Sequence, residues 1–285
     1  MNRREFLAGA GAMTAFAGCR SLGLSGRADF RDALWMWGHS GGSYDRPNGH
    51  YNIPPEPKIT IPDACDYMGI PNVCIIGGAD SVPGTDDKLR RLTRVSTNAS
   101  TPEKMLALRK RYPNLTAFDL DDLFYNDRPL VTAKTPRGEE KCVQSKQSYE
   151  EIVRLRDALH SWQDPAELRG VLYMHQLQPE LRPVLNELDK VLLWNWYGFR
   201  IGLMERLYAD YRRIMPEKPT LLGLYMWDFH AKAPQRLDWM KTQLALADRL
   251  WNAGEIEGLI FHCTLLCSKK LAAVEYARDW IAERT

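Results

Sequence analysis

The sequence lacks an excess of either charge: 38 lysines and arginines face 36 aspartates and glutamates in 285 residues, a formal net charge of +2. Nucleic-acid binding is dominated by phosphate neutralisation, so a chain without a basic surplus is not expected to have a nucleic-acid partner. No Cys-x-x-Cys pair is present, and Cys263 with Cys267 has no second pair of ligands, which argues against a structural zinc site. Internal repeats, low-complexity tracts and Pro/Ser linkers are also missing, so nothing marks a domain boundary and one large domain is expected.

What is present is 45% hydrophobic residues, enough for a core, and an unusual aromatic complement of nine tryptophans and twelve tyrosines. Such rings either fill the core or offer flat stacking faces to a ligand.

The N-terminus reads as an address. Arg3 and Arg4 precede Phe6-Leu7 and a small-residue apolar run too short to span a bilayer, and Phe16-Ala17-Gly18-Cys19 follows. The segment resembles a twin-arginine export signal ending in a lipobox, with Phe16 where an aliphatic residue is usual. That resemblance implies a signal peptide over 1–18, lipidation of Cys19 and a tether over 19–31 to a membrane surface. It also implies a periplasmic or outer-membrane lipoprotein, with cleavage without lipid as the alternative. Five cysteines remain beyond Cys19, an odd number, so at least one thiol stays unpaired even in an oxidising compartment.

From residue 32 to 285, apolar runs alternate with amphipathic segments. The runs are 34–39, 72–78, 92–97, 115–121, 171–176, 191–196, 220–228 and 258–263. Most are too continuously apolar for one-faced strands and suit parallel strands buried on both sides. Helices are expected over 61–68, 86–91, 102–111, 149–161, 179–189, 201–214, 234–253 and 269–282, several opening with a proline in the first turn. Eight such units match a (β/α)8 TIM barrel, typically of ~250 residues. Arg94 interrupts the third run, and without that strand the barrel would be irregular or incomplete. Long loops over 40–60 and 125–148 both follow strands and belong on the C-terminal face, where barrel sites are built.

Polar residues gather at the strand ends: His39, then Gly77, Gly78 and Asp80, Asn98, then Asp119, Asp121 and Asp122, His175 and Gln176, Asn195 and Trp196, Asp228 and His230, and His262. Each alone could be a cap or a hydrogen-bonded core residue. Converging on one rim of an apolar barrel, they must be hydrated, paired or used. Strand alternation turns Asp119 and Asp121 into the barrel, with Asp121 nearer the mouth; two such carboxyls repel, and one can hold its proton near neutrality.

The stretches Asp121 to Phe124, Leu193-Trp194-Asn195-Trp196, Tyr225-Met226-Trp227-Asp228-Phe229 and Glu257 to Phe261 resemble an uncharacterised bacterial family of glycoside-hydrolase-like (β/α)8 barrels. The resemblance spans 33–285. Aspartates stand where many such enzymes carry glutamates, and the Asn-Glu pair common after their fourth strand is missing. It implies hydrolysis of a glycosidic bond of a carbohydrate substrate, with Asp121 or Asp122 as general acid/base and Asp228 as nucleophile or base. Trp35, Trp37, Trp196 and Trp227 would be sugar platforms, and Asp119, His39, His175, Gln176, Asn195, His230 and His262 would bond hydroxyls. No cofactor is expected on this reading. A metal-dependent sugar isomerase or hydrolase, holding a divalent ion through Asp121, His175, Asp228, His230 and His262, is one alternative. A non-catalytic carbohydrate-binding lipoprotein is the other.

Overall fold

A computed structural model describes residues 29–39, 51–76, 85–125, 131–135, 138–142 and 145–285, the stretches 131–135 and 138–142 by backbone alone. The export signal, Cys19, the tether as far as residue 28, residues 40–50, and Gly77, Gly78 and Asp80 lie outside them.

Eight strands close a parallel barrel. They are β1 (Leu34–His39), β2 (Asn72–Ile76), β3 (Arg94–Asn98), β4 (Leu115–Leu120), β5 (Glu167–Tyr173), β6 (Lys190–Trp194), β7 (Thr220–Tyr225) and β8 (Gly258–His262). The helices are α1 (Ile61–Met68), α2 (Thr85–Leu89), α3 (Pro102–Arg111), α4 (Tyr149–His160), α5 (Arg182–Asn186), α6 (Met204–Ile214), α7 (Leu237–Asn252) and α8 (Ala272–Ala282). One helix follows each strand, and β8 pairs with β1, so the (β/α)8 barrel is complete.

Local chemistry explains the helix starts. Thr60 accepts a hydrogen bond from the Asp63 amide at the start of α1, Pro62 sits in the first turn, and Gly69 at φ +69° ends the helix. Ser148 and Glu151 form a capping box on α4. Thr101 occupies the cap position of α3 without a side-chain cap bond. The 125–148 loop contains an antiparallel hairpin, 131–135 against 138–142, and Phe124 pairs with Ser145 at its base.

Arg94 does not break β3. It is the first residue of the strand, and its guanidinium lies 5.1 Å from the centre of the Trp35 ring while Nε donates to Asn72. The larger surprise is β5, which begins four residues before the expected apolar run and carries Arg169 into the lumen. Arg169 faces Asp119 in register across β4. Its Nε donates to Asp119 Oδ1 at 2.7 Å and Nη2 to Oδ2 at 3.1 Å, and Ser96 Oγ donates to Asp119 Oδ2 at 2.6 Å. Both side chains are fully buried. The guanidinium lies 4.4 Å from the Trp35 ring centre and reaches Cys74 Sγ. Burial alone pulls the Arg169 pKa down, but the charge and hydrogen bonds of Asp119 outweigh it and leave the pKa raised.

Above this layer the lumen narrows onto Trp194, whose ring lies across Gly223, its in-register neighbour on β7. A Cβ there would sit 2.0 Å from the ring, so only glycine admits the tryptophan.

A charge left alone in this layer should be costly. Asp119→Ala is expected to lower the unfolding free energy in urea by about 3–5 kcal/mol, because it strands the Arg169 cation. The double variant Asp119→Leu with Arg169→Met should lose less than Asp119→Ala. A double variant as unstable as the single one would show that packing, not the orphaned charge, sets the cost.

Candidate active site in the barrel mouth

The last residues of five strands meet at the C-terminal end: His39 of β1, Tyr173 of β5, Trp194 of β6, Tyr225 of β7 and His262 of β8. Asp121, one residue past β4, joins them. The register sets two adjacent tiers: His262 pairs with Trp37 and with Tyr225, while Tyr173 pairs with Trp194, which pairs with Gly223, two residues before Tyr225. They line a cavity of about 230 Å³ completed by Trp37, Tyr51, Asp122, Val171, Trp196 and Phe229.

The wall is an edge-to-face web. Trp37 meets Trp194 at 5.3 Å, Trp196 meets Tyr225 at 5.9 Å, and Tyr51 meets Phe229 at 4.9 Å, with interplanar angles of 74°, 90° and 81°. Trp196 is only partly buried and keeps surface for a ligand.

Three polar features face this web. The Asp121 carboxyl, partly buried, is pushed up from 3.8 to about 7, by burial first and then by the charges of Asp122 and Asp119. Asp122, at φ +47°, is half exposed; its Oδ1 accepts the Tyr173 hydroxyl at 2.8 Å, and Lys146 Nζ lies 3.7 Å from its Oδ2. His39 and His262 bring their Nε2 atoms to 3.4 Å, so one ring donates to the other. Burial holds His39 at about 4 and lowers His262 as well, His39 adding to the effect on His262, so both are neutral hydrogen-bonding groups around pH 7.

The cavity thus unites Trp37, His39, Asp121, Asp122, Trp196 and His262 of the expected set. The others are placed elsewhere. Asp119 belongs to the buried pair with Arg169, and Trp35 stacks on that guanidinium and on Arg94 rather than offering a ligand a face. Gln176 accepts the Tyr173 amide and donates to the Phe124 carbonyl, holding the loop after β5. Asn195 donates to the Tyr197 carbonyl. Trp227 donates to the Tyr51 carbonyl and so pins that ring in the cavity wall. His230 is exposed, edge-on to Tyr197 and Phe199. His175 stacks on Tyr173 and lines a separate cavity.

Asp228 is the consequential correction. It lies not at the end of β7 but in a short hairpin of 227–228 against 233–234. Its Oδ1 accepts the Ala231 amide at 2.9 Å, and Oδ2 lies against Gly198, where a Cβ would come within 2.2 Å. It is buried and does not line the cavity that holds Asp121. The five residues of the metal alternative are not brought together: Asp121 and His262 line one cavity, and His175, Asp228 and His230 do not line it. Among the described residues no group of three or more His, Cys, Asp or Glu is placed to hold a metal ion.

The misplacements after β5, β6 and β7 have one cause. The apolar runs continue through Met174, Trp196 and Trp227, beyond the last ladder bonds at Tyr173, Trp194 and Tyr225. The sequence pattern therefore puts the strand ends two or three residues late and does not single out Tyr173, Trp194 and Tyr225. Tyr51 and Phe229 come from loops, outside any strand pattern.

No protein-family profile matches this chain, and no curated protein sequence does. Solved structures do resemble it. A chitinase active domain from Pyrococcus furiosus, complexed with chito-oligosaccharides, superposes with a TM-score of 0.52 at 13% identity, covering 88% of this chain and 95% of that one. A tamarind chitinase-like lectin gives 0.52 at 11% identity, with 89% and 99% covered. A xylanase and α-amylase inhibitor from Scadoxus multiflorus gives 0.51 at 12% identity, with 88% and 98% covered. An enzyme, a lectin and an inhibitor share the architecture, so the likeness shows a (β/α)8 barrel fold and leaves the chemistry to the site.

Proposed function

We propose that the chain is an exported barrel, tethered through Cys19, that binds a carbohydrate in the aromatic cavity and hydrolyses a glycosidic bond. The observation that carries this reading is a carboxyl that holds its proton near neutrality, Asp121, inside a cavity walled by tryptophan and tyrosine faces. Flat apolar faces suit sugar rings, and the neutral His39 and His262 suit hydroxyls. The chitinase and lectin neighbours make chito-oligosaccharides the first ligands to test.

In this mechanism Asp121 gives its proton to the glycosidic oxygen as the bond to the anomeric carbon breaks. Asp122, oriented by the Tyr173 hydroxyl, opposes the positive charge that develops on that carbon. Water adds to the anomeric carbon, and its proton replaces the one donated.

The placement of Asp228 favours a second reading, a glycan-binding barrel without turnover. One experiment separates the two: the purified chain is screened against chito-oligosaccharides and other glycans for product release and for ligand-induced stabilisation. Hydrolysis is expected to fall as pH rises through about 7, where Asp121 loses its proton. Asp121→Asn should lower kcat by about 10²–10⁴-fold while keeping affinity. Asp228→Asn should retain turnover. A glycan that raises the melting temperature without being cleaved at any pH would establish the second reading instead.

Asp121 also makes a stability prediction independent of any ligand. Its carboxyl ionises near 3.8 in the unfolded chain but at about 7 when folded, so its contribution is full below pH 3.8 and is lost as pH rises through 7. Asp121→Asn should therefore melt higher than the parent at about pH 8 and nearly level with it at about pH 4. Equal differences at both pH values would mean that the carboxyl is ordinary.

A further inference from the structure

A second cavity, of about 590 Å³, opens on the loops after β5 and β6 and on α6. Its charged lining is Arg182, Arg200, Asp210 and Arg213, with His175 beside them. Arg213 is already paired with Asp210. Arg182 and Arg200 make no ion pair with any described residue. Three cations against one carboxylate leave this recess with a local charge of two in a chain whose whole net charge is +2.

One of its cations is held in place. The Arg200 guanidinium lies 5.0 Å from the Tyr197 ring centre and 5.7 Å from that of Phe199, which holds its plane. His175 stacks on Tyr173 at 5.6 Å and 19°, and Tyr173 lines the aromatic cavity, so the two spaces adjoin at this ring pair. Planar guanidinium groups pair best with anions that present two or more oxygens in a plane or tripod.

We infer that this recess binds an anionic substituent, a carboxylate or a sulfate ester, carried by a glycan whose neutral ring occupies the aromatic cavity. The inference rests on the carbohydrate reading and narrows it to acidic glycans. Burial, and then the charge of Arg200, lower His175 to about 4, so the imidazole is neutral near pH 7 and serves as a hydrogen-bonding neighbour. An anion beside Arg200 would offset that repulsion and raise the His175 pKa.

The test uses the full chain and its Arg182→Gln/Arg200→Gln double variant. Affinities are measured for a neutral oligosaccharide, a uronate-containing one and a sulfated one, and inorganic sulfate is titrated while the His175 ring resonance is followed against pH. Acidic oligosaccharides are expected to bind about tenfold more tightly than the neutral one at low salt. In the double variant that gap should close while neutral affinity stays within about twofold. Sulfate should raise the His175 pKa in the parent and not in the variant. Neutral glycan binding with no preference for charge and no effect of sulfate on His175 overturns this inference and leaves the carbohydrate reading standing, as does a preference that survives in the double variant. If no glycan binds but sulfate still shifts His175 through the two arginines, the carbohydrate reading fails and the anion site stands.

Discussion

An arginine inside a barrel must be answered, and the rest of this molecule is arranged around the answer given to Arg169. Asp119 lies opposite it in register and accepts two hydrogen bonds from it, Ser96 ties the carboxylate down, and Trp35 covers the cation. A pair so deeply buried adds little net stability, since desolvation consumes much of the Coulombic gain, but neither partner can be removed alone. The layer plugs the lower lumen. It confines the open space to the C-terminal end, and the fixed charge of Asp119 helps to keep Asp121, two residues further along, protonated.

The cavity above that layer follows from barrel geometry. Parallel strands bring their last residues to the same end of the barrel, staggered by the register, so a chain with His39, Tyr173, Trp194, Tyr225 and His262 at those positions makes a polar-aromatic ring without contribution from any single motif. Gly223 allows the Trp194 ring to lie flat across the lumen. Burial keeps the histidines neutral near pH 7 and pushes the Asp121 carboxyl up to about 7, so the cavity is less charged than its titratable groups alone would make it. The neighbouring recess, with Arg182 and Arg200, has the opposite character, and the two adjoin at Tyr173 and His175.

Much of this was legible beforehand. The alternation of apolar runs with amphipathic segments is enough to specify eight βα units, because strands buried on both faces and helices buried on one leave different patterns. Parity along Leu115–Leu120 correctly turned Asp119 inward and aimed Asp121 at the mouth. Reading failed where apolar character outlasts the hydrogen-bond ladder: Met174, Trp196 and Trp227 prolong their runs, and the displaced strand ends took His175, Gln176, Asn195 and Asp228 with them. It failed in the other direction at Arg169, because a charged residue inside a parallel strand looks like the end of one.

Composition, the twin arginines with Cys19, and the periodic alternation are properties of the chain taken in order, and they were sufficient for the class of fold and for the expectation of export. Which carboxylate does what was not a property of order. Asp119, Asp121, Asp122 and Asp228 are chemically the same side chain, and their roles diverged through partners distant in sequence: Arg169 for the first, the aromatic cavity for the second, Tyr173 and Lys146 for the third, and the Ala231 turn for the last. A residue's pKa and reach depend on burial and on nearby charge, and both are decided by closure of the barrel, which brings β4 and β5 together across 46 residues of intervening chain, from 121 to 166.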